Sequence, residues 1–176
     1  MKRPLLIANR GKIRRRVILQ IGAIALLICA VIIGLVAWAL YPKHLTESER
    51  AALVEYEKIR LALANDDLDA ASRSAGNLQT RFTQLPISDQ ASALRQCTSL
   101  ESARHIFKEM SQHAITLVRG ADGYFIGECP PGNGCPINCS PCRMDEFGPW
   151  VQISPELKNP YMGKASPRCG VLRPAR

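Results

Sequence analysis

Histidine is scarce in this sequence, and none of it falls in a recognisable catalytic motif. Only His44, His105 and His113 are present. His105 and His113 lie on one predicted helix and are separated by slightly more than about two turns. This separation is too large for both to bind one metal ion. The sequence also lacks a Ser-His-Asp or Cys-His-Asn set, a glycine-rich phosphate-binding loop and a close pair of carboxylates. We therefore expect that the protein is not an enzyme.

Acidic residues are absent from the first 16 positions, which hold seven of the 23 basic residues. The other 16 basic residues are balanced by 15 acidic ones. The formal charge of +8 therefore belongs to the N-terminal tail, and the rest of the chain has no positive excess that would bind phosphates. We expect no nucleic-acid partner. The basic residues of the tail are Lys2, Arg3, Arg10, Lys12, Arg14, Arg15 and Arg16.

Charged residues are also absent from residues 17–41, where Gln20 is the only strongly polar side chain. As a helix this run would be about 37 Å long, which is enough to cross a bilayer. Trp38 and Tyr41 suit the aromatic belt at a membrane surface, and Pro42 ends the helix. We predict one transmembrane helix over residues 17–41.

The orientation follows from the position of the basic tail. The positive-inside rule places residues 1–16 in the cytoplasm and the remainder outside, in the periplasm if the membrane is a bacterial inner membrane. A cleaved signal peptide is the alternative, because Ala37-Trp38-Ala39 matches a cleavage site. The apolar run is longer than the roughly 7–15 residues of a signal peptide, which favours an uncleaved anchor.

Residues 46–119 have the apolar spacing of amphipathic helices. The Asn65-Asp66-Asp67 cluster ends the first and caps the second, Pro86 ends the second, and Ser88 or Asp89 caps a third that runs to Gly120. We predict a mainly α fold, in which a small three-helix up-and-down bundle follows the membrane helix. The predicted apolar faces comprise Ala52, Tyr56, Ile59 and Leu63, then Leu68, Ala71, Ala75, Leu78 and Phe82, and finally Ala91, Leu94, Cys97, Leu100, Ala103, Phe107, Met110, Ala114 and Leu117.

Residues 120–176 contain most of the glycine and proline of the exported part and almost no helical period. Residues 124–126 and 150–153 suit short strands, and a cysteine-rich loop connects them. We predict an irregular, β-hairpin-like segment that packs on the bundle.

Six of the seven cysteines fall in the exported part, where an oxidising compartment permits disulfides. Six cysteines allow 15 complete pairings, and the sequence does not select one. Cys97 is expected to be a buried thiol, because it lies on the apolar stripe of the third helix. The others, with two loop methionines, are soft ligands that favour Cu(I) or zinc. These candidate metal ligands are Cys129, Cys135, Cys139, Cys142, Met144, Met162 and Cys169.

The cysteine spacing leaves several interpretations open. A loop-rich segment with few large apolar residues could use all of these cysteines as disulfide staples. Zinc is weakly indicated, because only Cys139 and Cys142 form a Cys-x2-Cys knuckle and a zinc ribbon needs two. The same pair has the spacing of a redox dithiol, but the strand–helix pattern of a thioredoxin-like fold is missing. The spacing of Cys135, Cys139 and Cys142 also coincides with that of radical S-adenosylmethionine enzymes, which we attribute to chance.

An ordered set of short motifs provides a resemblance to a known family. Cys129-Pro130, Trp150-Val151-Gln152, residues 159–163 (Asn-Pro-Tyr-Met-Gly) and Cys169-Gly170 follow helices that include Asp66-Asp67-Leu68-Asp69-Ala70-Ala71. Over about residues 48–172 the chain resembles a domain of unknown function in bacterial exported proteins. That domain is associated with the periplasmic adaptors of copper and silver efflux pumps.

The resemblance implies a periplasmic helical domain that binds copper or a related metal through the cysteines of Cys-Pro and Cys-Gly and through nearby methionines. It also implies an envelope efflux protein as a partner. Two family methionines are missing: Pro131 follows Cys-Pro, and residues 165–168 before Cys-Gly contain no Met. Either the extra loop cysteines and Met144 rebuild the site, or disulfides have replaced it and the domain serves protein interaction.

Overall fold

The computed structural model describes residues 26–34, 43–128 and 148–175. The chain divides into two units, Met1–Tyr41 and Pro42–Arg176. In the first unit, residues 26–34 form a helix, α1, whose large apolar side chains are exposed. Among the described residues no helix combines the length and apolar character needed to cross a membrane. The predicted tail, 1–16, and most of the predicted span, 17–41, lie outside the described residues.

The described residues of the second unit form four α-helices and one short 3-10 helix (Gly163–Ala165), so the prediction of a three-helix bundle is wrong in this detail. The α-helices are α2 (Glu47–Ala64), α3 (Leu68–Arg81), α4 (Ile87–Arg95) and α5 (Leu100–Val118). Each helix packs on the next, and α5 also contacts α2, as expected for an up-and-down bundle. The described chain is therefore mainly helical, as the sequence predicts.

The predicted third helix is interrupted between α4 and α5. Ser99 adopts an extended conformation (φ −138°, ψ 152°), and its hydroxyl accepts a hydrogen bond from the Ser102 amide at 3.2 Å. Serine at this position satisfies an amide that would otherwise lack a partner, so a new helix begins. Cys97 consequently lies in the connection, where it packs on the core while only partly buried. The prediction that Cys97 is a buried thiol on a helix is therefore wrong.

The other helix ends agree only in part with the predicted caps. Asp67 caps α3, and its carboxylate accepts a hydrogen bond from the Ala70 amide at 2.8 Å, as predicted. Thr46 and Glu49 form a reciprocal capping box at the start of α2. The prediction that Ser88 or Asp89 caps the next helix is wrong. Helix α4 begins at Ile87 after Pro86, with no side-chain cap.

The bundle core consists mainly of the apolar faces that the sequence predicts. Most of the predicted positions have no more than a few per cent of their surface exposed, and Leu68, Leu100 and Leu117 are partly buried at the edge of the core. Periodicity at 3.6 residues identified this face in α3, α4 and α5, which each have one buried side. Helix α2 is buried on more than one side, so its buried Leu53 and Arg60 were not predicted. The completely buried members are Ala52, Ile59, Leu63, Ala71, Ala75, Leu78, Ala91, Leu94, Ala103, Phe107, Met110 and Ala114.

The C-terminal segment forms a three-stranded antiparallel sheet. Its strands are β1 (Phe125–Glu128), β2 (Trp150–Gln152) and β3 (Val171–Pro174), in the spatial order β2-β1-β3. The pairing of β1 with β2 confirms the predicted hairpin around the cysteine-rich loop. Strand β3 was not predicted, because its four residues end in proline and follow no clear turn signal.

Two buried tyrosines attach the sheet to the bundle. The Tyr56 hydroxyl accepts a hydrogen bond from the Val151 amide at 3.2 Å and lies 2.8 Å from the Ser111 hydroxyl. Tyr161 donates to the same serine at 3.4 Å. Burial raises the pKa of both phenols well above the ordinary value, so both stay neutral. The C-terminal segment therefore shares one core with the helices, as the sequence predicts.

Candidate soft-metal site

Two of the seven predicted metal ligands lie among the described residues. Cys169 is completely buried just before β3, and Met162 is partly buried against the core. Across residues 26–34, 43–128 and 148–175, no three His, Cys, Asp or Glu side chains are grouped as a metal site requires. The remaining predicted ligands lie outside the described residues: Cys129, Cys135, Cys139, Cys142 and Met144.

The sheet register places the chain next to Cys129 beside the chain next to Cys169. Glu128, the last residue of β1, is opposite Val171 of β3. Gly170 has φ +122°, and a Cβ at this position would lie only 3.0 Å from the Glu128 carbonyl oxygen. The residue that precedes Cys129 is thus in contact range of the residue that follows Cys169. A side chain at position 170 would separate the two strands.

Trp150 fills the space behind this contact. It is completely buried, and its ring lies at 6.0 Å and 81° from the ring of Tyr161, an edge-to-face arrangement. A Cβ on Gly127 would overlap the indole, and one on Gly170 would be 3.0 Å from it. The indole N–H donates to Gln152 at 3.2 Å, which satisfies its buried donor. Gly127 is therefore required for the indole to fit, and Gly170 is favoured by its positive φ and by the close approach of the indole.

The side chain of Asn159 connects the two described ligand candidates. Its Nδ2 donates to the Cys169 carbonyl at 2.8 Å. Its Oδ1 accepts from the amides of Tyr161 at 2.8 Å and Met162 at 3.3 Å. Asn159 is itself completely buried. One amide group thus links the backbone of Met162 to that of Cys169.

The rest of the Asn-Pro-Tyr-Met-Gly motif is held by the bundle. Arg104 of α5 donates to the Pro160 carbonyl at 2.9 Å and forms an ion pair with Asp66 at 2.5 Å. Gly163 has φ +57°, and any Cβ there would overlap the Asp66 carboxylate. The Lys164 amide donates to Asp66 at 3.0 Å.

These contacts keep the Asp66 carboxylate charged. Burial would raise the pKa of Asp66, but the Lys164 amide and the Arg104 guanidinium outweigh it and hold the pKa below its ordinary value. The ion pair, which joins the α2–α3 connection to α5, therefore loses its stabilising effect as the pH falls through this lowered pKa.

Cys97, His105 and His113 lie on α5 or in the connection that precedes it. The Cys97 sulfur donates to the Ala93 carbonyl at 3.6 Å, in the α4–α5 connection. His105 and His113 are exposed on α5. Within the described part of the chain they belong to no group of three or more His, Cys, Asp or Glu side chains that could hold a metal ion.

No family model, no curated protein and no solved structure matches this chain. The chemistry of the region must therefore be argued from its own residues. Cys169 and Met162 carry soft sulfur donors, and the described residues contain no group of three or more His, Cys, Asp or Glu side chains that could hold a metal ion. Such a donor set suits a soft ion of low coordination number better than magnesium or calcium.

Sequence reasoning did not identify the residues that organise this region. Asn159, Gln152 and Arg104 are its main hydrogen-bonding side chains, and their partners are distributed from α2 to the end of the chain. Only Asn159 carried a local signal, because asparagine before proline is typical of a turn in which the side chain bonds to nearby amides.

Proposed function

We propose that this chain is a membrane-anchored, periplasm-facing protein that binds a soft metal ion without catalysing a reaction. Cu(I) is the favoured ion and zinc the alternative. Cys129 and Cys169 supply thiolates, and the Met162 thioether is a third soft donor. The site is completed by some of Cys135, Cys139, Cys142 and Met144.

The sheet register is the observation that carries this proposal. Glu128 pairs with Val171, and its carbonyl approaches Gly170. Because Cys129 is bonded to Glu128 and Cys169 to Gly170, two soft ligands that are far apart in sequence attach to neighbouring points of the backbone. The resemblance to a domain associated with copper efflux adaptors gives the same ligand pair and adds an envelope efflux protein as the proposed partner.

The membrane anchor is part of the same proposal. The apolar side chains of α1 support it, since Leu26 is 74% exposed, and in water such a surface is unfavourable.

A periplasm-dependent reporter such as alkaline phosphatase should be active when fused after Arg176. The same reporter fused after Arg16, ahead of the span, should be inactive. Activity of only the second fusion would contradict the proposed orientation.

Metal binding can be measured directly on the reduced full-length protein in detergent. We expect Cys129→Ser combined with Cys169→Ser to weaken Cu(I) binding, titrated against a competing chelator, by more than about 100-fold. Changing residues that only support a metal ligand costs about 10–100-fold, and loss of two ligands should exceed this. Affinity should also fall in acid, because thiolates must be deprotonated to bind.

Cys97→Ser is the matched control, because it removes a cysteine that lies outside the candidate ligand set, and it should leave the Cu(I) affinity unchanged. Equal affinities of the wild-type protein and the double cysteine variant would contradict the assignment of Cys129 and Cys169 as ligands.

A disulfide-stapled protein-interaction domain without metal is the second candidate. The complete burial of Cys169 favours it, because a buried sulfur is difficult for an ion in solution to reach. In that case protein isolated from the envelope would contain no alkylatable cysteine in the exported domain if Cys97 is also paired, and only Cys97 and one other cysteine if it is not. Its melting would respond to reductants and be indifferent to chelators.

A further inference from the structure

We propose that Asn159 is a positioning residue that holds Met162 and Cys169 as two ligands of one Cu(I) site, an inference that rests on the function proposed above. Asn159 does not touch the metal. It fixes the backbone positions to which the Met162 thioether and the Cys169 thiolate are attached. These positions determine whether both sulfurs can reach the same ion.

The three hydrogen bonds of the Asn159 amide group carry this inference. They run to the Cys169 carbonyl and to the amides of Tyr161 and Met162. The Asn159 backbone amide also donates to the Pro167 carbonyl at 2.7 Å. The residue is therefore fixed by its main chain as well as by its side chain. Met162 and Cys169 cannot separate without breaking buried hydrogen bonds, which are costly to leave unsatisfied.

Only a carboxamide of this length meets the requirement. The group must donate to a carbonyl and accept from two amides at the same time, which an ionised aspartate cannot do. An aliphatic residue would remove the partner of two buried backbone hydrogen bonds, to Cys169 and Tyr161, and of a partly buried one, to Met162. The contacts of Arg104 with Pro160 and of Lys164 with Asp66 hold the outer side of the same turn. The ligand backbone is thus arranged before any ion arrives, which is the condition for a tight site.

Asn159→Asp tests the inference with almost no change of shape. The variant retains the acceptor for Tyr161 and Met162, but a second oxygen replaces the donor that faces the Cys169 carbonyl. We expect Cu(I) affinity of the reduced full-length protein to fall by about 10–100-fold. Asn77→Asp is the control, because it introduces the same charge at an exposed position on α3 and should leave affinity unchanged.

A double-mutant cycle with Met162→Leu separates positioning from general loss of stability. Leucine has nearly the volume of methionine but no sulfur, so the fold should be retained. Asn159→Asp should disturb the position of Cys169 relative to Met162, so that the two sulfurs no longer reach one ion together. The two substitutions combined should then weaken Cu(I) binding less than the product of their separate effects. X-ray absorption should show one fewer sulfur on copper in each single variant than in the wild-type protein.

Each outcome has a distinct meaning. If Cys129→Ser with Cys169→Ser abolishes binding while Asn159→Asp and Met162→Leu bind as the wild type does, the function stands and the role of Asn159 is wrong. Independent, multiplicative effects of the two substitutions would also overturn it. If Asn159→Asp fails to fold by circular dichroism, an unchanged sulfur count in Met162→Leu suffices to reject it. Unchanged binding in all variants would reject the proposed function itself.

Discussion

Trp150→Ala should lower the free energy of unfolding by about 3–5 kcal/mol, as expected for removal of a completely buried tryptophan. The indole packs against Gly127 and Gly170 and meets Tyr161 edge-to-face. Its loss would leave a cavity lined by two glycines, which have no side chains that could move in to fill it. With a slope of about 2 kcal/mol per molar, the urea midpoint of the full-length protein would move down by about 2 M.

Val54→Ala is the matched control, because Val54 is an apolar residue that is 47% exposed on α2. It should change stability by less than about 0.5 kcal/mol. Gly127→Ala supplies a second check, since its added methyl group overlaps the indole in the wild-type protein. That substitution should destabilise the wild type clearly and the Trp150→Ala variant much less. Equal effects in the two backgrounds would contradict the packing described here.

The bundle could be predicted from the sequence where each helix has one apolar face and a polar cap. The prediction failed between α4 and α5 because Leu94, Cys97 and Leu100 retain apolar spacing across the break. The apolar pattern thus continues through the α4–α5 connection, although the helix is interrupted there. The local signal was Ser99, which caps a helix beginning at the next residue. A capping residue inside a periodic pattern is thus evidence for two helices.

The candidate site could be predicted only as a set of residue types. Cysteine and methionine in loops indicate soft-metal chemistry by their residue type alone, so the ligand candidates could be named without a structure. Their supports could not be inferred in this way, because they depend on contacts between residues far apart in sequence. Asp66 accepts from Lys164, and Arg104 donates to Pro160. The need for glycine at position 163 also depends on a residue that is far away in sequence. A Cβ there would overlap the Asp66 carboxylate, and no pattern in the sequence around position 163 indicates this.

The buried guanidinium of Arg60 connects α2 to the C-terminal segment beside Asn159. Arg60 is completely buried, and two of its nitrogens donate to the two carboxylate oxygens of Glu57, each at 2.7 Å. A further nitrogen of Arg60 donates to the Lys158 carbonyl, next to Asn159. This arrangement makes a guanidinium tolerable inside a protein, because the charge faces a carboxylate and each of the three nitrogens donates to an oxygen.

Glu57→Ala should therefore destabilise the protein by about 3–5 kcal/mol, since it leaves an uncompensated charge in the core. Replacing both partners, as in Glu57→Leu with Arg60→Met, removes the charge together with its counter-ion. This variant loses only the donor to the Lys158 carbonyl, a cost of about 1–3 kcal/mol. The double variant should thus be more stable than Glu57→Ala in urea unfolding. If the single substitution is the milder one, Arg60 has found water or another acceptor, and the buried pair is not what anchors the segment that leads to Asn159.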